Sequence, residues 1–329
     1  MPRRFLVGLC LLSVSLAKSQ TVTPAADQNK EIIFASDTQA PMWVETLFLK
    51  ADRNRTATRM IFNNILQHNP QALFLLGDVV NLGYSNKQWK PMDAYLHGLR
   101  EKGIQVDAIL GNHEVMGQAK KGQRKFQERF PNHVRTGYVS IVDSVAVVLL
   151  NSNFGSLTPQ ENEQQLIWYR QTLKDLDADP AVQYVIAACH HSPYTNSKVV
   201  GSNPAVQQKF VTPFLASKKC KLFLSGHCHG FEHFQVQGKD FVVIGGGGGL
   251  HQPLRQGADC LHDLCSDYKP MFHYLSVRRS DEGLQVTSIE LNNDFTTFEQ
   301  GVQLKIGGNS LRDATAHNPV SIPVKGSAN

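Results

Sequence analysis

Seven times along this 329-residue chain a nearly continuous apolar, β-branched-rich run stops abruptly in polar residues or glycine. The runs are EIIFASDTQ (31–39), ALFLLGDVVN (72–81), VDAILGNHE (106–114), VVLLNSN (147–153), YVIAACHHSP (184–193), KLFLSGHCHG (221–230) and FVVIGGGGG (241–249). A strand with one wet face alternates apolar and polar residues, whereas one that stays apolar is covered on both faces. Helical spacing fills some of the intervals. Residues 54–70 repeat apolar positions at Met60, Ile61, Ile65 and Leu66 and end at Pro70. Residues 158–176 open with Thr158 as a cap, Pro159 at the first helical position and acids in the first turn. Strands alternating with helices specify an α/β sheet under helical cover. No composition shift or linker marks a second domain.

In open α/β sheets, ligands gather outside the carboxyl ends of the strands. Five of these ends carry polar side chains: Asp37 and Gln39, Asp78 and Asn81, Asn112 and His113, His190 and His191, and His227 and His229. If the strands share one sheet region, residues far apart in sequence converge on one pocket. Asp, Asn and His are oxygen and nitrogen donors suited to borderline divalent metals. Crowded carboxylates repel one another and resist ionisation; a dication removes that penalty.

The flanks bear on location and partners. Arg3 and Arg4 precede an apolar run from Phe5 to Ala17, with small residues at Ala17 and Ser19, the pattern of a secretory leader over 1–19. The run is shorter than the ~20 residues a spanning helix needs, so no stable membrane anchor is expected. Cleavage there drops the formal charge from +5 to +2, and an exported protein, secreted or periplasmic, is expected. The short basic stretch AKKGQRK (119–125) reads as a solvated loop, and nothing points to duplex nucleic acid. Cys260 and Cys265, in a polar loop, are the disulfide candidates. Asn54-Arg55-Thr56 is a glycosylation sequon. The glycine run 245–249 lacks the following helix and acid of a dinucleotide fingerprint; its expected role is to let backbone pass beneath the strand-end loops. Residues 273–291 read as a hairpin turning at Asp281-Glu282-Gly283, and 306–329 as a disordered tail.

The sequence resembles the calcineurin-like metallophosphoesterases, which include the purple acid phosphatases. The family pattern is met by GDVVN (77–81), GNHE (111–114), HHSP (190–193) and GHCH (226–229), in order; DTQ (37–39) stands where the family has Asp-x-His. The resemblance implies a four-layer fold over 20–305, with two packed mixed β-sheets flanked by helices. It implies two divalent or trivalent ions (Mn, Zn or Fe). One would be held by Asp37, Gln39, Asp78 and His229. The second would take Asp78, Asn112, His227 and one of the paired histidines: His191 at the His-x-Pro spacing, with His190 the alternative. A hydroxide bridging the ions would attack a phosphate ester, His113 would protonate the leaving oxygen, and Glu114 would orient His113.

Two departures qualify the match. The amide of Gln39 is a poorer ligand for zinc or iron than imidazole and favours a harder ion such as manganese. Asn81 stands where purple acid phosphatases place their iron-binding tyrosine, so a colourless protein is expected. The substrate expected is a phosphorylated small molecule or nucleotide. The alternative is a non-catalytic, metal-dependent binding protein with a degenerate first site; the intact His113 argues for chemistry. The HxHxDH pattern of metallo-β-lactamases fails at Phe231 and Glu232. The loop holding Met42 and Trp43 and the loop 194–204 are the expected walls of the site.

Overall fold

A computed structural model describes residues 29–265 and 270–307. The leader over 1–19 and residues 308–329 of the expected tail lie outside the described residues, while Ile306, the first residue of that tail, is buried in the last strand. Three strands come first: β1 (Asn29–Ala35), β2 (Pro70–Leu75) and β3 (Gln105–Ala108). Six follow: β4 (Tyr138–Val142), β5 (Val145–Leu150), β6 (Tyr184–Cys189), β7 (Cys220–Ser225), β8 (Phe231–Val236) and β9 (Lys239–Ile244). The last three are β10 (His273–Ser280), β11 (Gly283–Leu291) and β12 (Phe298–Ile306). The first and last groups make one six-stranded sheet, in the order β12-β11-β10-β1-β2-β3, and the middle group makes a second, in the order β4-β5-β6-β7-β9-β8. Both are mixed: β1, β2 and β3 are parallel, as are β5, β6, β7 and β9, with antiparallel strands outside them.

Each of the seven apolar runs is a strand, and the core explains why they do not alternate. In β1, Ile32 and Phe34 face the layer between the sheets, while Ile33 and Ala35 face a layer under helices. The second sheet repeats the device, with Val147 and Leu149 between the sheets and Val148 and Leu150 under its own helical cover. The outer layers are helical: α1 (Asn54–His68), α2 (Asn86–Glu101), the single turn α3 (Asn112–Val115) and α4 (Ala119–Arg129) cover the first sheet, and α5 (Pro159–Ala178) covers the second. The result is the expected four-layer sandwich. It differs from a single-sheet reading in one respect that matters. The polar strand ends come from the parallel centres of two sheets, β1–β3 and β6–β7.

Local expectations fare unevenly. Thr158 caps α5 reciprocally with Glu161, and Asp281-Glu282 turns β10 into β11. Residues 119–125, read as a loop, form the first two turns of α4. Their lysines are solvated, but Gly122 and Phe126 are buried, and Phe126 packs on Trp89 and Phe130. Cys260 and Cys265 are not bonded to each other; both are free thiols, and Cys265 packs against the layer between the sheets. Among the described residues no helix is long and apolar enough to cross a membrane.

Gly122 lets α4 lie directly on the backbone of α3: an added Cβ would sit 1.9 Å from the carbonyl oxygen of Glu114. Substituting Gly122→Ala should therefore lower stability by about 1–3 kcal/mol, despite alanine's better helix propensity. Urea unfolding measures it, and a stabilised variant would show that α4 is not seated as described.

Candidate metal and phosphoester site

The site lies where the carboxyl ends of the two parallel strand sets meet. Asp37 and Gln39 follow β1, Asp78 follows β2, Asn112 and His113 follow β3, His190 and His191 follow β6, and His227 and His229 follow β7. Backbone hydrogen bonds tie the loops to one another. The Asp37 N–H donates to the Gly77 carbonyl at 3.1 Å, Gln39 to Asp78 at 3.0 Å, and Gly226 to His190 at 2.9 Å. Asp37, Asp78 and His227 all have positive φ, at 58°, 48° and 66°. Non-glycine residues in that region cost on the order of 1–3 kcal/mol each, and such strain concentrates at functional sites. Glycines at these strand ends answer to close approach: a Cβ on Gly226 would lie 2.3 Å from Asp37 Oδ2, and one on Gly111 would lie 2.1 Å from Asp78 Oδ1.

Two imidazoles are held in the same way. The Nδ1–H of His190 donates to the Leu76 carbonyl at 3.0 Å, a tautomer assigned from the hydrogen-bond network. Its Nε2 then faces Asp78 Oδ2 at 3.2 Å and Asn112 Oδ1 at 3.0 Å. The Nδ1–H of His229 donates to the Leu250 carbonyl at 2.7 Å, and its Nε2 faces Asp37 Oδ1 at 3.3 Å. Gln39 completes the second arrangement. In the amide orientation that satisfies both its ends, its nitrogen donates to the carbonyls of Asp78 and Asp37, at 2.8 and 3.0 Å, and its oxygen faces Nε2 of His229. Each Nε2 thus looks at oxygens that have no proton to give it. Only a proton or a cation satisfies such a set. Asp78, His190 and His227 bring one donor atom each within 4.8 Å of one another. This buried carboxylate and imidazole chemistry suits a borderline divalent ion.

The chain's own charges act in the same direction. Burial would raise the Asp78 carboxyl, but His190 and His113 outweigh it and hold the group below the usual range. Asp37 is lowered by His229 against the same burial. Burial pulls His190 down, yet Asp78 lifts it to about 9. His227 goes the other way, pushed to about 4 by burial and by His190 beside it.

The paired histidines separate clearly. His190 is the one turned onto Asp78 and Asn112, whereas Nδ1 of His191 lies 2.8 Å from Ser152 Oγ. The spacing to Pro193 points to His191, whereas β6 ends at Cys189 and the next residue, His190, is the one that faces Asp78 and Asn112. His113 is fixed by its Nδ1, 2.9 Å from the Asn81 carbonyl, with Nε2 3.7 Å from Asp78 Oδ2. Glu114 does not orient it. Its carboxylate is fully buried and accepts from the backbone N–H groups of Asp78 (2.9 Å), Gly111 (2.8 Å) and Val80 (3.1 Å). It thereby sews the ends of β2 and β3 together. Burial and then the Asp78 charge push its pKa up to about 7, against the hydrogen bonds from Val80 and Gly111.

The glycine run behaves as expected. Gly247 and Gly249 donate to the carbonyls of Ser36 and Asp37, both at 2.9 Å, so those two amides are spent on protein. Trp43 and Phe48 are 78% and 83% exposed in the loop after Gln39. The carbonyls of Leu76, Asn81 and Leu250 carry no sequence signal, since backbone partners have no residue signature.

A family model described as calcineurin-like phosphoesterase matches residues 30–231. No curated protein sequence matches the chain. A purple acid phosphatase from seeds of yellow lupin (Lupinus luteus) superposes with a TM-score of 0.61 at 14% identity, over 91% of this chain and 57% of that one. The GAP50 anchor in the inner membrane complex of Plasmodium gives 0.62 at 14% identity, over 84% and 88%. A dimetal phosphatase from Danio rerio gives 0.53 at 12%, over 82% and 98%. At these identities the likeness is one of fold.

Glu114→Gln keeps the shape but replaces one acceptor oxygen with a donor facing N–H groups. Leaving a buried amide unpaired should cost about 1–3 kcal/mol. Thermal unfolding reads this out, and an unchanged melting temperature would contradict the role given to Glu114.

Proposed function

The chain belongs to the calcineurin-like phosphoesterase family, and we propose that it is an exported phosphoester hydrolase working with two metal ions. One ion would be held by Asp37, Gln39, Asp78 and His229, the other by Asp78, Asn112, His190 and His227. The observation that carries this reading is the repeated arrangement of His190 and His229. In each, Nδ1 is tied to a carbonyl and Nε2 faces side-chain oxygens. The Asp78 carbonyl accepts from the Gln39 N–H while its carboxylate faces His190, so Asp78 is the residue that would be shared between the two sets. His190 takes the place that the His-x-Pro spacing gives to His191.

Bound ions would supply an acidified water and neutralise charge on the phosphoryl oxygens. The remaining work falls to the chain. Asn112 and the histidines fix where a phosphoryl group can sit, and the buried, strained loops keep the donors preorganised. His113, anchored through Nδ1, presents Nε2 as the atom that holds a proton for the departing oxygen. The substrate class is a phosphorylated small molecule or a nucleotide, and manganese suits the amide oxygen of Gln39. Export rests on the leader pattern at 1–19. The second reading, a metal-dependent binding protein, is favoured by Gln39 alone.

Turnover of p-nitrophenyl phosphate and bis-p-nitrophenyl phosphate with added Mn²⁺ tests the assignment. His113→Ala should lower kcat by roughly 10²–10⁴ while metal content stays the same. His190→Ala should abolish activation by Mn²⁺, and His191→Ala should retain it. No turnover by the wild-type protein with either ester would leave the binding reading in its place.

A further inference from the structure

Two sequence features, the sequon at Asn54 and the glycine run at 245–249, meet in the structure. Asn54 is 5% exposed, and every valence of its side-chain amide is used inside the protein. Its Nδ2 donates to the carbonyls of Gly248 and Gly249, both at 2.9 Å, and its Oδ1 accepts from the Asp52 N–H at 2.9 Å. It has no hydrogen to spare for a glycan in the folded protein. One turn further into α1, Thr58 Oγ1 donates to the Gly247 carbonyl at 3.0 Å. The first turns of α1 therefore clamp three consecutive carbonyls of the glycine loop.

The opposite side of that loop holds the site. Gly247 and Gly249 donate to the carbonyls of Ser36 and Asp37, at 2.9 Å each. The next carbonyl, that of Leu250, accepts Nδ1–H of His229 at 2.7 Å and so fixes its tautomer and the direction of Nε2. The Gly249 position lies against the His229 ring, where an added Cβ would come within 2.4 Å of Cε1. Asn54 thus reaches Asp37 and His229 through one intervening layer of backbone. It does not reach His190, whose Nδ1 is held instead by Leu76. Its Oδ1 also fixes the far end of the loop that starts at Gln39, so the Gln39-to-Asn54 segment is pinned at both ends.

We infer that Asn54, supported by Thr58, is a positioning residue for the Asp37–Gln39–His229 donor set, acting through the glycine loop and selective for that set over the one around His190. The inference rests on the two-ion reading proposed above. Partners behind a metal ligand commonly set affinity by 10–100-fold, because they fix ring direction and basicity. Asn54→Asp is the informative change. It keeps the size and the acceptor for Asp52 but turns a carboxylate oxygen toward two carbonyls that now lack a donor.

The experiment is calorimetric titration of the full chain, stripped with EDTA, with Mn²⁺ alone. Asn54→Asp should weaken one of the two binding events by about 10–100-fold and leave the other unchanged. Thr58→Val should weaken the same event by a smaller factor. In a His229→Ala background, Asn54→Asp should make no further difference, since the residue through which it acts is gone. Melting temperatures of stripped and Mn²⁺-loaded protein separate positioning from plain stability: a positioning role reduces the gain on loading, and a structural one lowers both states alike. Should Asn54→Asp fail to fold when stripped, Thr58→Val carries the same comparison. Equal weakening of both events, or none in either variant, would overturn the inference while leaving the two-ion reading intact. Wild-type protein that binds no Mn²⁺ would overturn both.

Discussion

Two carboxylates, Asp37 and Asp78, are buried at the seam between the sheets, at 0% and 1% exposure, and the surrounding structure answers to that burial. An ionised carboxylate taken out of water costs several kcal/mol unless it is paired and hydrogen-bonded. Asp37 is met by the backbone N–H of His227, by the Ser36 hydroxyl and by the His229 ring. Asp78 is met by the His113 N–H and by His190. Those contacts require the chain to turn sharply at the strand ends, which explains left-handed conformations at Asp37, Asp78 and His227 and glycines beside them. The apolar layers on both faces of each sheet hold these turns in place.

The two-sheet plan also explains the electrostatics. A single sheet offers one row of carboxyl ends; two sheets packed face to face with parallel centres offer two rows that meet. One row brings mainly carboxylates and amides, through Asp37, Gln39, Asp78 and Asn112. The other brings imidazoles, through His190, His227 and His229. Opposed charges across the seam hold the carboxyls low and lift His190. A cation would take over the role that the imidazolium proton plays within the chain.

Much of this is legible in the sequence, for a physical reason. A strand covered on both faces must be apolar throughout, so each run announces its own end, and the polar residues at that end stand out. The seven runs, the helices at 54–68 and 159–178 and the hairpin of β10 and β11 all follow from such patterns. What the sequence hides depends on one-residue register or on backbone partners. His190 and His191 differ only in which follows the last strand residue, and the distance to Pro193 does not report that. The helix at 119–129 buries little besides Gly122 and Phe126, so its charges mask its period. The free thiols of Cys260 and Cys265 show that nearness in sequence is no substitute for geometry. Glu114 and Asn54 act on backbone groups, and a carbonyl or an amide can belong to any residue.

The central claim is that two half-shells of donors, joined at Asp78, each hold one ion. Elemental mass spectrometry of the purified full chain after Mn²⁺ loading and removal of free metal tests it most directly. The account predicts two manganese ions per chain. One ion or none would contradict it, and none would mean that the protons of His190 and His229, rather than cations, are what balances the buried carboxylates.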